Sequence, residues 1–340
     1  MKQAVMVEPG RIEYRDVEKP APGADSVLVR IRRIGICGSD IHVYHGKHPY
    51  TSYPVVQGHE ISGVIDEIGS RSTGFEKGQA VTFLPQISCG RCYPCTHGMY
   101  HICNSLRVMG FQVNGAAQEF FPVPKNLIVP LPDSMSPEQG AMVEPTAVAV
   151  HALRRSGDIK GKTVLVLGAG PIGNLVAQCA HGLGASSVMI TDLSDFRLQI
   201  ARDCGIEHTV LAGRQNLDEA ISKIFGENRS DLIMECVGAQ STISDAVSSA
   251  RKGSTIVVVG VFGEKPVVDV GLIQDRELSL VGTLMYQRKD YEKAIDLISK
   301  NHINVDKLIT DKYPFTKYSD AYSYIDGAKD KAMKIMITLD

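Results

Sequence analysis

Nothing in this sequence directs it to a membrane or a polyanion. Its longest apolar runs, such as TIVVVGVF at 255–262, fall far short of the roughly 20 residues a membrane-spanning helix needs. Lys and Arg number 36 against 38 Asp and Glu, a net charge of −2, which removes the electrostatic case for nucleic acid or an anionic surface. There is no tryptophan and no low-complexity segment. No internal repeat recurs at a period of about 20 to 50 residues, which argues against a solenoid or propeller. The opening MKQAVMVEPG does not read as a signal peptide. The eight cysteines are therefore expected as thiols in a reducing, cytoplasmic compartment rather than as disulfides.

What is present fits an ordinary globular chain. The 340 residues, 44% of them hydrophobic and 22% charged, suffice for two domains with sizeable cores. The first third is rich in glycine and proline. Short apolar runs at 26–38, 60–69, 79–85, 116–124 and 126–132 are broken by turn residues, the pattern of an all-β, partly barrel-like domain. From Ser136, a plausible N-cap followed by Pro137, the pattern turns helical. Strands and helices then alternate. Strand-like runs lie at 163–168, 187–192, 208–212, 231–238, 254–263 and 277–284, and helical ones at 171–184, 194–205, 216–225 and 240–251. Continuous apolar strands in a βαβ rhythm predict an α/β, doubly wound parallel sheet. A further helix is expected at 288–301. The final run KAMKIMITLD is expected to rejoin the first domain and make it discontinuous.

Two metal-ligand sets stand out. Cys89, Cys92, Cys95 and Cys103 read C-x2-C-x2-C-x7-C. Four thiolates at such short range can close a tetrahedral Zn²⁺ site with no position left for substrate, so that zinc is expected to be structural. Cys37 in GICGSDIH and His59-Glu60 in QGHE form a different set. A catalytic zinc needs about three protein ligands and one exchangeable position. Cys37, His59 and a carboxylate can supply them, and Glu60 and Glu144, the latter in MVEPTAV, compete for the last place. Glu144 starts the helix leading into the second domain, which would put it at a domain cleft. Ser39 and His42 fit a proton path from substrate to solvent. Asp40 is a candidate partner for fixing the tautomer of a ligand histidine. Cys179, Cys204 and Cys236 read as core residues. His45, His48, His97 and His101 read as loop histidines.

The run GAGPIG places Gly168, Gly170 and Gly173, with Pro171 and Ile172 between, after a strand and at the opening of a helix. That context makes the pattern a dinucleotide fingerprint. Gly168 permits the tight turn, Gly170 lets the pyrophosphate approach, and Gly173 lets the helix pack on the strand. Asp192 ends the next strand, 24 residues after Gly168. A carboxylate there accepts from the ribose hydroxyls and repels a 2′-phosphate, favouring NAD over NADP. Arg197 either pairs with a 2′-phosphate or covers the adenine ring.

Taken in order, CGSDIH, GHE, the four cysteines, VEP, GAGPIG and the Asp192 strand resemble the zinc-containing medium-chain alcohol dehydrogenase superfamily over essentially the whole chain. The resemblance implies a GroES-like catalytic domain over 1–145 and 284–340, with a structural zinc lobe at about 86–106, and a Rossmann NAD-binding domain over 146–283. It implies catalytic zinc on Cys37 and His59, with Glu60 and Glu144 ligating directly or through water, as in the sorbitol, butanediol and sugar-alcohol dehydrogenase branch. Ser39 and His42 then relay the proton, and Asp40 supports His59. The family pairs subunits through its Rossmann sheets, so a homodimer or homotetramer is expected. Sorbitol dehydrogenases carry an arginine before the tyrosine of GTLMYQ, where this chain has Met285 before Tyr286, a candidate substrate contact. The resemblance implies hydride transfer between NAD and a polyol or sugar-derived secondary alcohol. L-Threonine and vicinal diols are the rival substrates. A zinc-ribbon binding module and a non-catalytic NAD-binding protein are the rivals of another class.

Overall fold

The run SVLVRIRRIGI forms an eleven-residue strand, Ser26–Ile36, in the computed structural model, which describes residues 1–340. Val27, Leu28 and Val29 have no exposed surface, as a strand covered on both faces requires. One edge of this strand pairs antiparallel with Glu60–Ile68. The other is shared by Phe120–Pro124 along its first half and Lys334–Thr338 along its second. Strands Ile309–Pro314, Ala80–Phe83 and Ile128–Pro130 complete a seven-stranded sheet. The register sets Gly35 opposite Glu60 and Ile36 opposite Ile335. Cys37, Glu60 and Lys334 are thereby brought to one end of the sheet, although 274 residues separate the last two. Helix Tyr318–Ala328 buries Tyr318, Ala321 and Tyr322 in the same core.

These elements form one unit, Met1–Glu144 with Ile309–Asp340. The other unit is Pro145–Leu308. Its six strands lie in the order 208–211, 187–192, 163–167, 232–235, 255–258, 279–282, and every adjacent pair is parallel. This is the doubly wound order: successive strands are added first on one side of Thr163–Leu167 and then on the other. The strands expected from their apolar runs all form. Val164, Leu165, Val166, Ile233 and Met234 are sealed from water, each contributing about 1.5–3 kcal/mol of burial energy before chain entropy is charged against it.

The chain returns to the first unit at Ile309, not near residue 284 as the sequence suggested. Tertiary hydrogen bonds explain the difference. Helix Arg288–Ser299 is held through Asp290, which accepts from His151 Nδ1 at 2.9 Å and Arg154 Nε at 2.8 Å. Beyond it, Asn304 exchanges hydrogen bonds with Gln178 on helix Pro171–Gly182. No helix is long and apolar enough to cross a membrane.

Candidate active site

Cys37, His59 and Glu60 bring one sulfur, one imidazole nitrogen and one carboxylate oxygen within 4.8 Å of one another. Local structure explains the placement. Cys37 caps helix Gly38–Tyr44, and Asp40, three residues on, accepts from the Cys37 backbone N–H at 3.0 Å. The other oxygen of Asp40 lies 3.5 Å from His59 Nδ1 and accepts from Gln57 Nε2 at 3.1 Å. Asp40 and Gln57 are almost fully buried, and His59 is only 5% exposed. Burial works against a charged imidazole, but the charge and hydrogen bond of Asp40, with Cys37, outweigh it and hold His59 well above its ordinary value. Nδ1 of His59 is buried without a full hydrogen bond, next to a carboxylate. That geometry suits a metal-ligating ring that faces the metal with one nitrogen and Asp40 with the other. A mixed sulfur, nitrogen and oxygen set of three fits zinc with a coordination position to spare.

The two competing carboxylates are placed differently. Glu60 is in the donor cluster and Glu144 is not. Glu144 is buried on the first turn of helix Val143–Arg154. Both Glu60 oxygens accept from Lys334 Nζ, at 2.6 and 2.7 Å, and Lys334 also donates to Ile36 O at 3.2 Å. Burial lowers the proton affinity of Lys334, but Glu60, Cys37 and Glu144 together raise it above the usual lysine value. Gly35 belongs to the same arrangement, since a Cβ there would sit 2.1 Å from Glu60 Oε2. Sequence reading missed Gln57, Lys334 and Gly35. A lysine opening the apolar run KIMIT was the available signal for one of them. Ser39 is half-buried and His42 exposed, one turn apart on the Gly38–Tyr44 helix and therefore neighbours on its surface.

The four-cysteine lobe is compact. Cys92 Sγ lies 3.4 Å from Cys95 Sγ and 3.7 Å from Cys103 Sγ, and Cys89 Sγ lies 4.0 Å from Cys95 Sγ. A tetrahedron of sulfurs about 2.3 Å from zinc has edges of about 3.8 Å, so the set fits the ion. Gly90 and Gly98, at φ 70° and 72°, turn the chain between ligands. Backbone N–H groups of Cys89 and Ser105 point at Cys103 Sγ. The backbone N–H groups of Arg91 and Cys92 draw the Cys89 thiol down to about 6, whereas burial among the other sulfurs pushes Cys95 up to about 11. All eight cysteines are free thiols. Cys179 is buried, as expected of a core residue, whereas Cys204 and Cys236, expected there too, are half-buried; burial pushes all three thiols up. His45, His48, His97 and His101 belong to neither donor cluster.

In the second unit the three glycines do different work. Gly168 holds φ 99°, and a Cβ there would meet Val237 at 2.5 Å. A Cβ on Gly173 would lie 1.9 Å from Gly168 O, so only glycine lets helix and strand approach. A Cβ on Gly170 would meet nothing within 4 Å. The space over Gly170 is open, at the N-terminus of helix Pro171–Gly182, where backbone N–H groups favour a pyrophosphate. Pro171 and Ile172, both half-buried, form its first turn. Asp192 accepts from Ala169 N at 2.7 Å and Ser194 N at 2.8 Å, pinning the glycine loop, with Arg197 Nη1 3.9 Å away. Tyr286 corrects an expectation. It is fully buried against Tyr291, ring centroids 5.1 Å apart, and presents no surface to a substrate. The Asp290 clamp pulls this segment inward, while Leu284 stays 56% exposed.

Residues 23–133 match the Alcohol dehydrogenase GroES-like domain, and residues 171–300 match the Zinc-binding dehydrogenase family. Sorbitol dehydrogenase of Bacillus subtilis (strain 168) is 30% identical over 99% of this chain and 97% of its own length. The chain belongs to the zinc-binding dehydrogenase family. It is an oxidoreductase with a GroES-like domain and a Rossmann sheet, as its motifs implied. Among solved structures, one from Sinorhizobium meliloti 1021, bound to NADP, aligns with a TM-score of 0.93 at 32% identity, covering 99% of both chains. Another, from Escherichia coli CFT073 and complexed with NADH, aligns with a TM-score of 0.91 at 32% identity, covering 100% of this chain and 99% of that one.

Proposed function

We propose that this dehydrogenase moves a hydride reversibly between NAD and a secondary alcohol of an unphosphorylated polyol or sugar-derived substrate, giving the ketone. The observation that carries the reading is the Cys37, His59 and Glu60 cluster, an incomplete donor set on a chain that also carries an open dinucleotide loop at Gly170. Zinc bound there would supply Lewis acidity toward the substrate hydroxyl, and a nicotinamide dinucleotide would supply the hydride acceptor. Cys37, His59 and Glu60 would hold the metal, with Asp40 fixing the His59 tautomer. Ser39 Oγ takes up the substrate proton while its own hydroxyl proton moves on, and the exposed His42 gives a proton up to water. Glu144 acts from outside the donor cluster. Cys89, Cys92, Cys95 and Cys103 hold a second zinc that shapes the lobe.

Asp192 accepts from the adenosine ribose with the lone pairs left after its two backbone contacts, and its charge disfavours a 2′-phosphate. Arg197, close to that carboxylate, lines the adenine side. The NADP-bound relative makes the cofactor a matter for direct test. Eight free thiols suit a reducing, cytoplasmic setting. The test is NADH formation by zinc-loaded protein across polyols, sugar acids, diols and L-threonine, with NADP in parallel. Turnover of polyols or sugar acids with NAD is expected. Silence toward every secondary alcohol while NAD still binds would overturn the reading.

A further inference from the structure

A buried hydrogen-bonded chain runs from the C-terminal helix to the histidine of the metal cluster. Tyr322 Oη donates to Gln57 Oε1 at 2.8 Å. Gln57 Nε2 donates to Asp40 Oδ1 at 3.1 Å and to Asp40 O at 3.3 Å. Asp40 in turn faces His59 Nδ1 and the Cys37 amide. Tyr322 and Gln57 are each 1% exposed, so bulk water does not reach either group. We infer that Gln57 and Tyr322 are positioning residues for the catalytic metal site, locking Asp40 in the one orientation that serves both His59 and Cys37. The inference rests on the reading of Cys37, His59 and Glu60 as a zinc site.

The physical argument concerns which way an amide points. A glutamine can present oxygen or NH2 to a neighbour, and the two are nearly equal in shape. Asp40 as a carboxylate can only accept, so the NH2 must face it. The opposite side of the amide then presents oxygen and needs a donor, and Tyr322 supplies an O–H. Either alternative leaves a buried polar group unpaired or sets two oxygens against each other. Tyr322 is itself fixed. Its ring stacks on Tyr44, centroids 4.7 Å apart at 17°, and Tyr44 ends the helix that Cys37 caps. On the same C-terminal helix, Asp326 meets His45 at 3.0 Å. Helix Tyr318–Ala328 thus grips the ligand-bearing helix at two points and the histidine support through Gln57.

Three variants test this: Gln57→Met, which keeps the volume and removes the amide, Tyr322→Phe, which removes one hydroxyl, and the double variant. The readout is zinc retention by the holoprotein against a chelator. Cobalt exchange separates the one-sulfur site from the four-sulfur site by the strength of sulfur-to-cobalt absorption. Gln57→Met is expected to weaken the one-sulfur site by about 10-fold or more, in line with other partners of metal ligands, with the four-sulfur site unchanged. Tyr322→Phe should weaken it less, and should add nothing in the Gln57→Met background, because it acts through the amide. Equal retention in all four proteins, or effects that simply multiply, would overturn the inference. If Gln57→Met fails to fold, Tyr322→Phe alone decides by the same readout. Wild-type protein that holds only the four-sulfur metal would overturn the zinc-site reading itself, and the inference with it.

Discussion

Lys334 shows how much one residue can cost and repay. An ammonium sealed from water is tolerated only when a partner and hydrogen bonds replace its hydration. Lys334 has these in both oxygens of Glu60 and the carbonyl of Ile36. Glu60 therefore has two competing neighbours, the lysine and whatever cation joins Cys37 and His59. Lys334→Met would leave Glu60 as a lone buried carboxylate. In metal-free protein the expected loss is about 3–5 kcal/mol, measured by urea unfolding. With zinc bound the loss should shrink, because the metal then neutralises Glu60. An equal loss with and without zinc would mean that Glu60 does not face the metal. The same pair marks a limit of sequence reading. The four cysteines and the Cys37-to-Asp40 turn were legible because their contacts are local and spacing alone fixes them. Lys334 was not, because its meeting with Glu60 depends on the register of strands drawn from opposite ends of the chain.

At the scale of elements, the glycine loop separates structural need from ligand need. Gly173 faces Gly168 O at a distance no Cβ could occupy, whereas Gly170 faces open space with φ −62°, a conformation any residue adopts. Gly173→Ala should therefore lose about 1–3 kcal/mol of stability by overpacking, and dinucleotide affinity with it. Gly170→Ala should keep stability within about 1 kcal/mol while NADH binding weakens by about tenfold or more, because the methyl fills the pyrophosphate space. Thermal unfolding and a fluorescence titration with NADH measure the two quantities side by side. Intact affinity in Gly170→Ala would place the phosphates elsewhere. The strand and helix order of this unit was legible for the same reason as the loop: apolar runs, turn residues and caps are written locally. The docking of Arg288–Ser299 was not, since it hangs on His151 and Arg154, more than a hundred residues away. That docking also buries Tyr286, which the sequence alone offered as a substrate contact.

For the whole molecule, one edge of a sheet bears on assembly. The six-stranded sheet ends at Ser279–Gly282, which pairs only with Thr255–Val258 and leaves its outer backbone groups without a strand partner. Proteins usually blunt such an edge with charge, proline or a bulge. The residues of this strand, SLVG, supply none of these, although Arg155 Nε donates to Gly282 O at 3.1 Å; Ser279, Leu280 and Gly282 are exposed, with Leu280 at 41% and nearby Leu284 at 56%. A second copy related by a two-fold axis would place the same strand alongside, antiparallel, extending the sheet across both chains and covering those leucines. A homo-oligomer built on this edge, a dimer or a tetramer of such dimers, follows as our proposal. Leu280→Lys puts a charge where the two strands would meet and should shift sedimentation toward the monomer, with the monomer's far-ultraviolet circular dichroism unchanged. Since no metal or dinucleotide ligand lies on the edge, zinc content should stay the same. Monomeric wild-type protein would remove the proposal. An oligomer indifferent to Leu280→Lys would move the interface to another face.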